Sequence, residues 1–473
     1  MANLRVISDN AIDRAALSAS STAGAFAATN LQLARKSDVW RATGTTARLT
    51  ATWAAAEPLQ AVALPFCNLS PTATMRVRVT GEASVTNLFS YSEQPANAVW
   101  AKTATTVTGS AGPAPDGSTN ASYLKEDTTA SSAHEIRTPN VTLAANTAYT
   151  MSVFAKGDTR RYLRVGFSSV FSSTAFSAYI VFDLQTGTIA NSAGTGVSGS
   201  CTTRPEWGGF YRCSVMFTAT KAATGTNYIG LQNASATSTY TGDGVSGLYI
   251  WGAQLEASAT ATSYYPTTSA AAARPLGYID SWQPYTYDSG AQLACPAPAV
   301  SLRGFTAAQA ASAYAFGGGA TGRAWLPSSV SAYGLAVDIV DTASLQGYIE
   351  AAYLVAGPYW ESATNFDYGA SAQLVDSSKN NRNDAGDLIS DAGTISKKLS
   401  LQLSKLAPSD RASLWSILRS GGIRFPLFLS MFPGDTDLAR ERDHQVYGKL
   451  VQLPAMALPF FNLASATVEV ESV

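Results

Sequence analysis

Between residues 87 and 268 the chain alternates short apolar and aromatic runs with clusters of Gly, Ser, Thr, Asn and Asp. Residues 147–155 carry Tyr149, Met151 and Phe154 near strand spacing, and 162–167, 179–184 and 211–217 are similarly short, β-branched and aromatic. Runs of this kind between turn-forming clusters predict strands. Several in succession predict a sandwich or jelly roll. No stretch of this region sustains helical periodicity over three turns. The expectation is an all-β module at 87–274, spliced into a different host.

The flanks carry a second pattern. Residues 61–69 and 455–463 match at seven of nine positions, through Ala, Leu-Pro-Phe and Asn-Leu. Each copy precedes an alternating apolar and charged run, Met75 to Val79 and Val468 to Glu471, the mark of a strand with one wet face. The repeat predicts strand, corner, strand, used in two related β-sandwich units. The first unit comprises 1–86 and 275–356, with early strands at 47–53, a corner at Ala61, a resumption at 278–282, and closing strands at 334–341 and 347–357. The second, 357–473, holds a helix at about 409–420. Ser409 is its expected N-cap, Leu414, Ile417 and Leu418 its apolar stripe, Arg419 its last turn and Gly421-Gly422 its stop. A strand at 425–430, a charged loop at 435–443 and a strand at 447–453 follow. The fold class is mainly β: tandem jelly-roll or discoidin-like sandwiches, one interrupted by an inserted jelly roll at a loop tip, where whole domains are tolerated.

Composition narrows the function. Charged residues make up 14% of the 473 positions, against roughly 25% in ordinary soluble domains. A weakly charged polar surface suits permanent subunit contacts, where burying charge is costly. The 32 basic and 33 acidic residues leave a net charge of −1 with no basic stripe, which argues against nucleic acid. No apolar run nears the roughly 18 residues of a membrane span, and the N-terminus has no signal-peptide core. Four cysteines are no disulfide framework in a chain this long. Cys201 and Cys213 flank the turn 205–209 and could face each other across a hairpin, though a reducing cytoplasm favours free thiols. Cys67 and Cys295 read as small buried hydrophobes.

Catalytic signals are sparse. The only histidines are His134 and His444, with no nucleophile elbow beside them; each reads as a surface or strand-end residue. The glycines at 317–322 lack the Lys-Ser/Thr ending of a phosphate loop and read as a flexible loop. Glu126, Asp127, Glu135, Asp183, Glu206, Asp243 and Glu256 could supply the two acids of a glycosidase, but nothing in their spacing selects a pair.

The phrases at 87–94, 98–100, 114–117 and 247–256, closed by the tail 259–268, make this stretch resemble the carbohydrate-binding jelly-roll modules of bacteriophage tail and baseplate proteins. Gly347 to Glu350, Gly357 to Trp360 and the Tyr447-Gly448 strand near the C-terminus resemble distal tail proteins of long, non-contractile-tailed phages. The resemblance implies a structural tail-tip or baseplate component of the virion, assembled in the bacterial cytoplasm and presenting a glycan-binding module; it is not an enzyme. A receptor-binding fibre or adhesin is the alternative, and a polysaccharide depolymerase a more distant one. Implied partners are further copies in a ring (six-fold favoured, three-fold the alternative), tail-tube and baseplate-hub proteins, and host surface polysaccharide. No cofactor is implied beyond the structural calcium common in related jelly rolls. Sugar binding needs aromatic platforms and hydroxyl partners, and the module offers Trp100, Arg161, Tyr162, Trp207, Tyr211, Tyr228, Trp251 and Gln254. Trp207, at a Gly-Gly turn, and the Arg161-Tyr162 step are the least core-like, so they lead the candidates, with Tyr211 and Trp100 behind them.

Overall fold

The computed structural model describes residues 2–172, 178–194, 196–235, 237–280, 282–283, 285–295, 301–460 and 462–473. It is mainly β, built from antiparallel sheets. The chain forms two compact units: one of residues 82–275 with 280–284, the other of 1–81, 276–279 and 285–473.

Eight strands define the inserted unit: β1 (Ala121–Glu126), β2 (His134–Arg137), β3 (Thr147–Gly157), β4 (Tyr162–Phe167), β5 (Ala178–Asp183), β6 (Tyr211–Ala219), β7 (Asn227–Gln232) and β8 (Gly247–Glu256). One sheet runs β6-β3-β8-β1, widened by Val197–Thr203 beside β6 and Thr105–Gly112 beside β1. The other runs β5-β4-β7-β2, widened by Thr188–Ala193 and Ala101–Thr103. The chain crosses between the sheets at nearly every step, which is jelly-roll order. Period-two alternation fills the space between them. Leu163, Val165 and Phe167 of β4 point inward against Met151 and Val153 of β3, Val215 and Phe217 of β6, and Ile229 and Leu231 of β7. The β3–β8 register slips between Ser152 and Phe154. Gly252 takes up that bulge at φ 59°, where a Cβ would lie 3.1 Å from the Phe154 ring.

The entry and exit segments run side by side. Thr86–Asn87 pairs with Ala272–Ala273, and the buried Arg274 donates to Glu82 Oε2 at 2.6 Å. The module is therefore longer than the motif-bearing stretch. Trp282, expected in a resumed host strand, packs against the module's aromatic cluster instead.

In the second unit, Thr46–Cys67 and Ala320–Val340 are two very long strands paired along most of their length. Their sheet runs Tyr287–Asp288, Thr74–Thr80, Ala320–Val340, Thr46–Cys67, Glu350–Ala351, Trp40–Arg41. No corner forms at Ala61 itself; the strand continues to Cys67, with Phe66 at φ 53°, and the chain turns at Ser70 to Ala73 before Thr74–Thr80. A second sheet runs Trp360–Glu361, Arg5–Ile7, Leu427–Ser430, Gln445–Leu450, Leu463–Ser472, Ile395–Leu406, Ser371–Asp376. Its second strand comes from the N-terminus, so residues 357–473 do not complete their own sheet. Arg323 of the first sheet also forms a buried ion pair with Glu441 at 2.6 Å. Residues 357–473 thus belong to one compact unit with the flanking host segments rather than standing as a third.

The helix is Pro408–Gly421, with Leu414 and Leu418 buried against that second sheet. Its N-cap is Ala407 with Pro408 in the first turn, so Ser409 is not the cap. The charged stretch expected as a loop contains a short helix, Leu438–Asp443, capped by the Asp437 carboxylate on the Ala439 and Arg440 amides.

Candidate functional site

The module has two outer faces, and they differ in what covers them. On the β6-β3-β8-β1 sheet, Phe154 and Trp251 point outward into a second aromatic core with Trp207, Phe210 and Tyr264, and Trp282 packs against it. The Phe154 ring stands 5.0 Å from Trp207 and 5.6 Å from Trp251. Trp207 is only 3% exposed, and its indole N–H donates to the Trp282 carbonyl at 3.0 Å. The turn Pro205–Trp207, with Gly208 and Gly209 at positive φ, tucks the indole in rather than lifting it out. The leading sequence candidate is therefore core. Trp100 is fully buried beside Phe89 in the main core. Tyr211 is half-buried at the same core, its ring across Gly187. Trp207 and Trp100 are closed to a sugar, whereas Tyr211 keeps part of its ring in solvent.

The outer face of the β5-β4-β7-β2 sheet is polar. With Leu163, Val165 and Phe167 inward, alternation turns Tyr162, Arg164 and Gly166 outward. The ladder sets Tyr162 opposite Asp183 and Gln232, Arg164 opposite Val181 and Gly230, and Gly166 opposite Tyr179 and Tyr228. Glu135 lies across Gly230 on the far side. The two glycines clear lanes for long side chains. A Cβ on Gly166 would come 2.3 Å from the Tyr228 ring, and one on Gly230 would come 3.2 Å from Glu135 Cβ.

Arg164 is the hub. Its Nη2 donates to Glu135 Oε2 at 2.5 Å, and Glu135 Oε1 receives Arg137 at 2.7 Å. The guanidinium lies 4.8 Å from the Tyr228 ring centre and 5.6 Å from that of Tyr179. Arg164 Nε and Gln232 Oε1 are buried with no hydrogen-bond partner among the described residues. Burial pushes the Tyr228 phenol up to about 12, so it stays a neutral O–H. At one margin, Arg161 pairs bidentately with Asp183, and its guanidinium is 5.4 Å from the Tyr162 ring centre. Hydrogen bonds from Arg161 and from the Gln185 amide hold the Asp183 carboxyl down at about 2, against the opposing effect of burial. Arg137 and Arg161 keep over two-fifths of their side-chain surface in solvent.

Of the residues on this face, sequence reasoning named Arg161, Tyr162 and Tyr228 as candidates. It passed over Arg164, Arg137, Tyr179 and Gln232 and weighed Glu135 only as an acid. The missed signal was an arginine and two glycines at outward positions of strands whose alternate residues are apolar.

The other carboxylates are already engaged. Glu126 accepts from Arg160, Tyr240 and the Asp243 amide. Asp243 takes the Ser246 hydroxyl and amide, and Asp127 caps the Thr129 amide. Glu256 accepts from Gln254 and Thr262. The side chain of Glu206 lies outside the described residues. His134 stands at a strand end, opening β2, and is buried rather than at the surface, with both ring nitrogens on backbone carbonyls, Ala104 O at 2.7 Å and Tyr240 O at 3.2 Å. Among the described residues no group of three or more His, Cys, Asp or Glu converges to hold a metal ion. No described helix is long and apolar enough to cross a membrane. The chain matches no protein-family model, and no curated protein matches it in sequence.

Proposed function

We propose that the protein is a structural component of a bacteriophage tail tip or baseplate, and that its inserted jelly roll binds bacterial surface glycans through the β5-β4-β7-β2 face. The observation that carries the glycan reading is the asymmetry of the two outer faces. One is closed by the chain's own tail and turn; the other keeps Tyr162, Tyr179, Arg137 and Arg161 in contact with solvent, over a buried layer of Tyr228, Arg164, Glu135 and Gln232. Aromatic faces pack on the C–H faces of sugar rings, and arginine, carboxylate and amide groups hydrogen-bond hydroxyls. The reading is non-enzymatic: the module holds the sugar, and weak single sites gain strength by repetition.

The tail reading draws on the inserted architecture, the weakly charged composition and the resemblance set out above. It entails a ring of copies, six-fold in preference to three-fold, with tail-tube and baseplate-hub proteins as neighbours, and residence in the virion. The test applies the full chain to immobilised surface polysaccharides from a panel of bacteria and compares it with Tyr162→Ala and Arg137→Ala. Binding lost in these variants at unchanged melting supports the face. Binding undiminished in both places the sugar elsewhere. A chain that stays monomeric in light scattering at all concentrations overturns the ring.

A further inference from the structure

The four cysteines of this chain lie in two close pairs, one in each compact unit. Cys67 and Cys295 are buried in hydrogen-bonding contact. Cys201 and Cys213 sit directly opposite each other in the ladder between Val197–Thr203 and β6, with their sulfurs 3.5 Å apart. Directly opposed residues of an antiparallel pair have Cα atoms about 4.5–5.5 Å apart, within the range a disulfide bridges without backbone movement. The pairs differ in access. Val197–Thr203 is the edge strand of its sheet, and Cys201 is half-buried there, whereas Cys213, Cys67 and Cys295 are closed off.

We infer that Cys201 and Cys213 form a redox-modification site, a dithiol that a small disulfide oxidant such as oxidised glutathione converts to a cross-strand disulfide in the folded protein. Burial and the hydrogen bond with Cys201 push the Cys213 thiol up, so the edge-strand Cys201 is the attacking sulfur. Its proton leaves to water as it attacks the oxidant, forming a mixed disulfide and releasing one glutathione thiol. Cys213 then loses its proton and attacks Cys201 Sγ, releasing the second thiol. The balance is one protein dithiol and one oxidant disulfide in, one protein disulfide and two thiols out. The closed loop staples the turn that carries Trp207 and Phe210 into the aromatic cluster. Cys67 and Cys295, with neither sulfur accessible, stay reduced while the chain is folded and serve as an internal control.

The test incubates the full folded chain with oxidised glutathione, blocks free thiols, and digests without reduction. The expected result is a link between the tryptic peptides on either side of Arg212, a fall in free thiols from four to two, and a rise in melting temperature on the order of 5 °C. Dithiothreitol reverses all three. Cys201→Ser loses no thiols under the same oxidant, whereas Cys67→Ser still forms the Arg212-flanking link. Because the wild-type thiol count needs no variant, a misfolded mutant does not blunt the test. Four free thiols after oxidation of the folded chain, or a link that joins Cys201 or Cys213 to any other partner, overturns the inference.

Discussion

The two outer faces of the inserted jelly roll hold similar residue types and differ in what covers them. Phe154, Trp251 and Arg212 on one face are as aromatic and as charged as Tyr162, Tyr228 and Arg164 on the other. The first set is sealed: Trp207 and Phe210 arrive from a turn, Tyr264 from the tail after β8, and Trp282 from farther on. Arg212 is left with Ser152 Oγ at 2.9 Å and the Phe154 ring at 5.4 Å, and burial lowers its pKa. On the second face Tyr228 and Arg164 are buried too, but Arg137, Arg161, Tyr162 and Tyr179 around them stay in contact with solvent. Aromatic content therefore does not say which face stays open; what the rest of the chain lays over it does.

The sharpest way to break the comparison is to empty the sealed face. Trp251→Ala or Trp207→Ala removes a ring packed against several others, and each is expected to cost about 3–5 kcal/mol in denaturant unfolding. A loss under about 1 kcal/mol would mean that the indole is not core. Next comes the open face's hub. Glu135→Gln leaves the buried Arg164 without its counter-charge while keeping the shape, at an expected cost of about 2–3 kcal/mol. Arg164→Met together with Glu135→Leu should recover part of that loss, because a removed pair leaves no orphaned charge; no recovery in the double variant would refute the pairing.

The strands of the jelly roll were legible because alternation is a local signal: β3, β4, β5 and β6 all fall where short aromatic runs stand between turn residues. Which outward side chains meet water is not local. Trp207 looked exposed because a Gly-Gly turn follows it, but the partners that bury it are Phe154, Trp251 and Trp282, far away in the chain. The repeated host phrase makes the same point. In its first copy Ala61 to Leu64 are buried within a long strand, and Phe66 takes the left-handed bend. In its second copy Ala457–Phe460 is a short strand at the sheet's margin with Leu458 exposed, and the bend is at Asn462; Phe461 lies outside the described residues. Near-identical sequence sits in a core once and on a surface once, because the neighbours differ. The strands that follow, Thr74–Thr80 and Leu463–Ser472, both turn their apolar residues inward, but Arg78 of the first is buried where Glu469 and Glu471 of the second are not. Helix Pro408–Gly421 was legible from its stripe and its glycine stop, whereas the short helix Leu438–Asp443 was not, since six residues show no periodicity.

A smaller effect separates the margin of the open face from its centre. The Asp183 carboxyl ionises at about 2 in the folded chain, held down by Arg161, against 3.8 ordinarily. A folded-state pKa below the unfolded one stabilises the protein above the unfolded value, and the contribution disappears as pH falls from about 4 toward 2. Asp183→Asn should therefore flatten the melting-temperature profile over that window and cost under about 1 kcal/mol at neutral pH, because Arg161 is well exposed. An unchanged acid limb in the variant would show that the pair contributes nothing.

The smallest expected change in stability tests the largest claim about function. Tyr162 is half-buried at the rim of the open face, outside the packed core, with Arg161 over its ring. Tyr162→Ala should shift folding stability by no more than about 0.5 kcal/mol. A stacked sugar would lose a contact of about 0.5–1.5 kcal/mol, up to roughly a tenfold drop in single-site affinity. On an array surface where several sites engage together, that drop compounds at every engaged site, and retention should fall much further. Tyr162→Phe keeps the ring and loses only the hydroxyl, so it should retain most of the binding; a face that merely needed a phenol for hydrogen bonding would respond to both variants alike. Intact melting with lost binding in Tyr162→Ala, and intact binding in Trp207→Phe, is the pattern that separates an open face from a sealed one.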